Sequence, residues 1–106
     1  MTTKNLKGSL ASSLEKKILG RTLSFGAAVE ALRIGENFSQ AAFAKKLHIS
    51  RQYLCDVEKG RRFVSPEQAA RFAKAFGHPP NVLVRLALQD SVSACGLKLR
   101  VLVEAA

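Results

Sequence analysis

Helix start and stop signals packed into a very short span limit what this chain can fold into more than any other feature. Ser39 and Ser50 each stand where a helix N-cap belongs. Between them there is room only for a two-turn helix, 40–47, and a connection of two or three residues. A second short helix, 51–59, follows Ser50 and stops at Gly60. Phe43, Ala44 and Leu47 form the inward face of the first helix, and Leu54 and Val57 that of the second. Ile49, just ahead of the second cap, is placed as a staple-like contact. Helices this short are marginal alone, so both must be held by packing against the rest of the domain.

The remaining helices can be read from the same punctuation. Ser9 opens a short amphipathic helix, with Leu10, Leu14 and Ile18 on one face and an end near Gly20. Thr22 or Ser24 starts the next, with Phe25, Val29 and Leu32 as its apolar stripe and Gly35 as its stop. Ser65-Pro66-Glu67-Gln68 combines a serine cap, a proline at the first helical position and a glutamine placed to close a capping box. Ala69, Phe72, Ala73 and Phe76 follow on one stripe, and Gly77 terminates that helix. Pro79-Pro80 launches a last helix, 81–93, which Cys95-Gly96 breaks. Val82, Leu83, Val84, Leu86, Ala87 and Leu88 surround it with apolar groups, which marks Val84 and Leu88 for burial against a second chain.

Beyond the break the pattern changes to alternation, with Leu97, Leu99, Val101 and Val103 on one side. A lone strand cannot satisfy its own backbone groups, so this one is expected to pair with a dimer mate or with a partner's sheet edge. The other reading is a frayed tail that merely alternates. The expected fold is all-α: a five-helix bundle, plus a short N-terminal helix and one C-terminal β-strand paired across a dimer. The chain is expected to divide into a basic arm, 1–21, a helical domain, 22–94, and a strand segment for dimer or partner contact, 95–106.

Charge narrows the choice of partner. The chain of 106 residues carries a formal net charge of +9, and this is unevenly spread. Residues 1–22 hold +4 and residues 45–74 hold +5, while 23–44 hold −1 and 75–106 hold +1. Such a balance makes a polyanion the first partner to consider, with nucleic acid ahead of an anionic membrane. No apolar run spans a bilayer, and no signal-peptide core precedes residue 13, so a cytoplasmic protein is expected, on the nucleoid when bound to DNA. Cys55 and Cys95 do not make a disulfide framework, and with His48 and His78 they show no metal-ligand spacing. Neither a nucleophile–base pair nor a phosphate-cradling glycine loop is present. Catalysis, a metal and a cofactor are therefore not expected.

The two short helices joined by a tight turn read as a helix-turn-helix. The second presents Arg51, Gln52, Cys55, Asp56 and Lys59 away from its apolar side, on an element that fits the major groove. Residues 23–90 resemble the Xre/Cro-type helix-turn-helix regulators through Phe38-Ser39-Gln40, Phe43-Ala44-Lys45-Lys46-Leu47, Ile49-Ser50-Arg51 and Val57-Glu58-Lys59-Gly60-Arg61-Arg62. The resemblance extends through Ser65-Pro66 to Phe72-Ala73-Lys74-Ala75-Phe76-Gly77. The last helix and the strand after Gly96-Leu97 are similar to the HigA-like antitoxins. One departure is His48, at the turn where the family usually places glycine.

By that resemblance Arg51, Gln52 and Asp56 occupy base-reading positions. Arg51 suits guanine and Gln52 adenine, while Asp56 either accepts from cytosine, excludes other bases or pairs with a neighbouring cation. Gln40 resembles a phosphate clamp aided by its helix N-terminus, and Ser50 caps and also donates to a phosphate. Cys55 is a small group tolerated beside DNA. Lys59, Arg61 and Arg62 form a basic loop for backbone contact. Lys45 and Lys46 divide evenly between phosphate contact and solvation, and Tyr53 is read as half-buried packing. Three functions fit: a dimeric repressor on a palindromic operator, an antitoxin that binds a toxin and represses its own operon, or an adaptor that keeps the bundle without binding DNA.

Overall fold

Serine hydroxyls start four successive helices. A computed structural model describes residues 23–106, and the expected helix near residues 9–20 lies outside them. The helices are α1 (Phe25–Gly35), α2 (Gln40–Leu47), α3 (Arg51–Glu58), α4 (Pro66–Ala75) and α5 (Asn81–Ala94). Ser24, Ser39, Ser50 and Ser65 accept hydrogen bonds from the amides of Ala27, Ala42, Tyr53 and Gln68 at 3.0–3.1 Å. Each bond satisfies one of the otherwise orphaned first-turn donors. α5 has no side-chain cap and starts from Pro80, whose backbone is already helical.

Two local details differ from expectation. α1 does end at Gly35, but the left-handed turn that closes it falls on Asn37 at φ 61° rather than on the glycine. The Phe38 amide then returns to the Arg33 carbonyl, a closure that asparagine tolerates. Gln68 does not close its capping box. Its side-chain oxygen accepts from Arg71, so only the Ser65 half of the reciprocal pair forms. Gly60, Gly77 and Gly96 do take positive φ after α3, α4 and α5.

Four phenylalanines form the centre of the core. Phe43 stacks on Phe76 with ring centroids 4.6 Å apart, and Phe72 meets Phe25 and Phe43 edge-on at 5.5 and 6.1 Å. Leu54 and Val57 from α3, Val29 from α1 and Leu86 from α5 close around these rings. Edge-on and offset ring pairs contribute about 0.5–1.5 kcal/mol each beyond the area they bury. α5 lies mainly on α4 and buries Leu83, Leu86 and Ala87, whereas Val82, Val84 and Leu88 are only half-buried.

α1 crosses the end of α3 at Gly26. A Cβ built there would lie 2.7 Å from the Glu58 carbonyl oxygen and overlap that of Val57, so only glycine permits this approach. No strand occurs among the described residues. Residues 97–106 form neither helix nor ladder within the chain, and Leu97, Leu99 and Leu102 are exposed. Backbone pairing needs two strands, and the described residues offer one such segment. No described helix is long and apolar enough to cross a membrane.

Candidate nucleic-acid interface

The turn between α2 and α3 sets the geometry of the site. His48 adopts φ 58°, ψ 41°, in the left-handed region, and its amide donates to the Lys45 carbonyl. Ile49 follows half-buried against the core, and Ser50 then caps α3. The chain thus reverses within three residues, 48–50, and α3 leaves with its first turn exposed. Arg51 and Gln52 lie on that turn, and Arg51 makes no hydrogen bond or ion pair among the described residues.

Farther along the helix the polar groups hold one another. Gln52 Nε2 donates to Asp56 Oδ1 at 3.1 Å, and Arg61 from the following loop reaches the same oxygen at 3.3 Å. Of the roles open to Asp56, pairing with a neighbouring cation is the one present here. Arg61 thereby offsets the single negative charge on this face. The Arg62 guanidinium lies 4.9 Å from the centroid of the half-buried Tyr53 ring, which orients the loop beside α3. Lys59 is exposed just beyond α3, and Cys55 is half-buried with a free thiol. Lys46 lies 5.0 Å from the Phe38 ring centroid on α2's side, and Lys45 is exposed beside it.

Gln40 is engaged differently from its expected role. Its amide donates to Glu58 Oε1 at 3.0 Å, inward toward the end of α3. Glu58 is the centre of a buried cluster that sequence reasoning missed. Arg33 Nε donates to Glu58 Oε2 at 2.7 Å and Arg33 Nη2 to Oε1 at 3.1 Å, while Nη1 bonds the Phe38 carbonyl at 2.7 Å. The carboxylate hydrogen bond raises the Arg33 guanidinium above its ordinary range against the opposing effect of burial, so the arginine stays charged. One carboxylate thereby ties α1 and α2 to the last residue of α3, and Arg33 adds the α1–α2 loop. Arg71 of α4 adds a further tie, donating to the Leu47 carbonyl at the end of α2 at 3.3 Å. The available signal was Arg33 directly after Leu32 of the apolar stripe, with Glu58 four residues after buried Leu54.

A second carboxylate braces the other end of α1. Asp90 of α5 accepts from the Phe25 amide at 3.0 Å, and desolvation pushes its carboxyl up from the usual range, opposed by that hydrogen bond. The groups expected to contact another chain do not join the α3 face. Val84 and Leu88 are half-buried on α5, Leu97 and Leu99 are exposed, and Val101 and Val103 are half-buried on the last segment. No group of three His, Cys, Asp or Glu able to hold a metal occurs among the described residues.

A family model described as a helix-turn-helix domain matches residues 24–86, from the Ser24 cap into α5. The structure is similar to the crystal structure of the clp gene regulator ClgR from Corynebacterium glutamicum. That likeness has a TM-score of 0.54 and 26% identity, over 68% of this chain and 78% of that one. No match was found among curated proteins. With more than half its length in that match, the chain belongs to the helix-turn-helix domain family.

Proposed function

We propose that this chain is a sequence-specific DNA-binding transcriptional regulator that inserts the first turn of α3 into the major groove. The observation that carries the reading is the exposed Arg51–Gln52 pair, presented directly after the left-handed turn at His48. Arg51 is the candidate for bidentate contact with guanine, and Gln52 for adenine once it leaves Asp56. Lys59, Arg61 and Arg62 on one side and Lys45 and Lys46 on the other flank that turn with cations for phosphate contact. Ser50 contributes through its cap and the exposed helix N-terminus. Gln40 reaches a phosphate through what remains of its amide and through the N-terminus of α2, since one donor is held by Glu58.

The regulator acts as a dimer, most simply a repressor, with two α3 helices entering successive major grooves about 34 Å apart on a palindromic site. Exposed Leu97, Leu99 and Leu102 support a protein contact beyond the DNA face. The antitoxin reading would give that contact to a toxin, and a neighbouring gene for a small ribonuclease-like protein is what would favour it.

Selection of bound sites from a random duplex pool tests the assignment. Wild-type protein is expected to enrich one half-site, and Arg51→Ala and Gln52→Ala each to lose preference at one base while keeping non-specific affinity. Unchanged enrichment in both variants would sink the base-reading role. With about six phosphates neutralised per chain, affinity should fall roughly 10³-fold between 50 and 200 mM salt.

A further inference from the structure

Residues 97–106 leave α5 through the turn at Gly96, and one edge of this segment is already occupied. Gln89 on α5 donates from Nε2 to the Leu99 carbonyl at 2.8 Å, and its Oε1 accepts from the Val101 amide at 2.7 Å. A carbonyl and an amide two residues apart that face the same way mark extended backbone, and the glutamine stands in for a ladder neighbour. The opposite edge is built from the backbone groups of Lys98, Arg100, Leu102 and Glu104, which make no hydrogen bond among the described residues. That edge is unsatisfied, and Leu97, Leu99 and Leu102 beside it are 52%, 62% and 81% exposed.

We propose that this free edge pairs antiparallel with the same edge of a second copy, centred on Val101. This rests on the dimer reading above and specifies where and in what register the two chains meet. Keeping the apolar faces together requires odd-numbered residues to oppose odd-numbered ones. Such registers centre on Arg100, Val101 or Leu102. A centre at Arg100 sets that cation against itself, which is destabilising. A centre at Leu102 sets Arg100 opposite Glu104 and Val101 opposite Val103, but it gives Leu99 only Ala105 and Lys98 only Ala106, and the Leu102→Cys arm below distinguishes it. A centre at Val101 sets Lys98 opposite Glu104 on both sides of the two-fold axis and Leu99 opposite Val103. The edge is therefore complementary in charge and shape to itself, and a two-fold pair closes without leaving a growing edge.

Disulfide trapping in a Cys55→Ser/Cys95→Ser background, with sedimentation equilibrium of the wild type, tests the pairing. Val101→Cys should cross-link readily, because opposed residues in a non-hydrogen-bonded antiparallel pair have Cα atoms about 4.5 Å apart, within disulfide range. Leu97→Cys and Leu102→Cys should not. Lys98→Glu should weaken the dimer roughly tenfold by opposing like charges, and adding Glu104→Lys should restore it. A monomeric wild type would overturn the dimer reading and the pairing together. A wild-type dimer in which Val101→Cys fails to link, or in which Leu102→Cys or Leu97→Cys links as well, would overturn the pairing alone. Either result leaves half-site binding by α3 to be read separately by anisotropy with a single half-site duplex.

Discussion

Removing the Glu58 carboxylate should cost this domain a large share of its stability. The Glu58 side chain is 1% exposed and the Arg33 side chain 10%, with contacts of 2.7 and 3.1 Å between them. At an effective dielectric of about 20, unit charges about 3 Å apart attract by roughly 5 kcal/mol, against which the desolvation of both groups must be set. The net worth of the pair relative to apolar replacements is therefore small. Breaking it from one side is costly, because the surviving charge stays buried. Glu58→Ala leaves the Arg33 guanidinium with only the Phe38 carbonyl as a hydrogen-bond acceptor among the described residues and removes the acceptor of Gln40. The expected loss is about 3–5 kcal/mol, out of the 5–15 kcal/mol typical of whole domains. In urea unfolding followed by circular dichroism, the midpoint should fall by roughly 2 M at unchanged slope. Arg33→Met/Glu58→Leu fills similar volume without charge and should return to within about 1 kcal/mol of wild type, or exceed it. A loss below about 1 kcal/mol in Glu58→Ala, or a double variant no more stable than the single, would refute the reasoning.

Three further outcomes are expected. Gly26→Ala should destabilise by about 1–3 kcal/mol or more, read as a drop in urea midpoint, because its Cβ meets the Val57 and Glu58 carbonyls rather than a movable side chain. His48→Gly relieves a left-handed strain of about 1–2 kcal/mol and gives back about 0.5–1 kcal/mol in chain entropy. A melting temperature a few degrees above wild type is the expected result, and a lower one would count against strain at that turn. Asp90 has a carboxyl raised in the folded state, so its contribution is full below the ordinary aspartate range and is lost as pH rises through the raised value. Asp90→Asn should therefore gain on wild type as pH rises from the ordinary aspartate range through the raised value, measured as the difference in urea midpoints, and a difference constant with pH or of opposite sign would contradict this.

What the sequence discloses here is whatever short-range chemistry dictates. Ser24, Ser39, Ser50 and Ser65 are visible as caps because the bond to the third amide onward is local, and all four form. The left-handed His48 is legible only through the resemblance, since it stands at the turn where the helix-turn-helix regulators usually place glycine. Phe43, Leu47, Leu54 and Val57 are legible as core by their spacing on their own helices. The end of α1 at Gly35 is legible, but its left-handed residue is not, because either of two nearby residues accepts positive φ and the return of the Phe38 amide to Arg33 selects Asn37. The Arg33–Glu58–Gln40 cluster was hidden because it joins three elements, and no single helical pattern shows a charge turned inward with its partner elsewhere. Gly26 was hidden likewise, since its meaning lies in the α3 backbone opposite it. The strand-like alternation of residues 97–104 is plain, but a partner edge is a property of two chains, and one chain cannot display it.

The hidden groups and the legible ones divide the labour of α3 between its two ends. An eight-residue helix has too few internal hydrogen bonds to hold its own direction. Its direction comes from its last turn, where Val57 is in the core, Glu58 is bonded to Arg33 and Gln40, and Gly26 lets α1 close over both carbonyls. Its first turn carries the cap at Ser50 and the exposed Arg51 and Gln52, and contributes little to the fold. A face meant to exchange contacts with base edges gains from this separation, because the residues that vary with the site read are not the residues that aim the helix. The charges on α3 and the loop after it have the same logic: Glu58 is withdrawn into the bundle and Asp56 is covered by Arg61, so no uncovered carboxylate there offsets Arg51, Lys59 and Arg62.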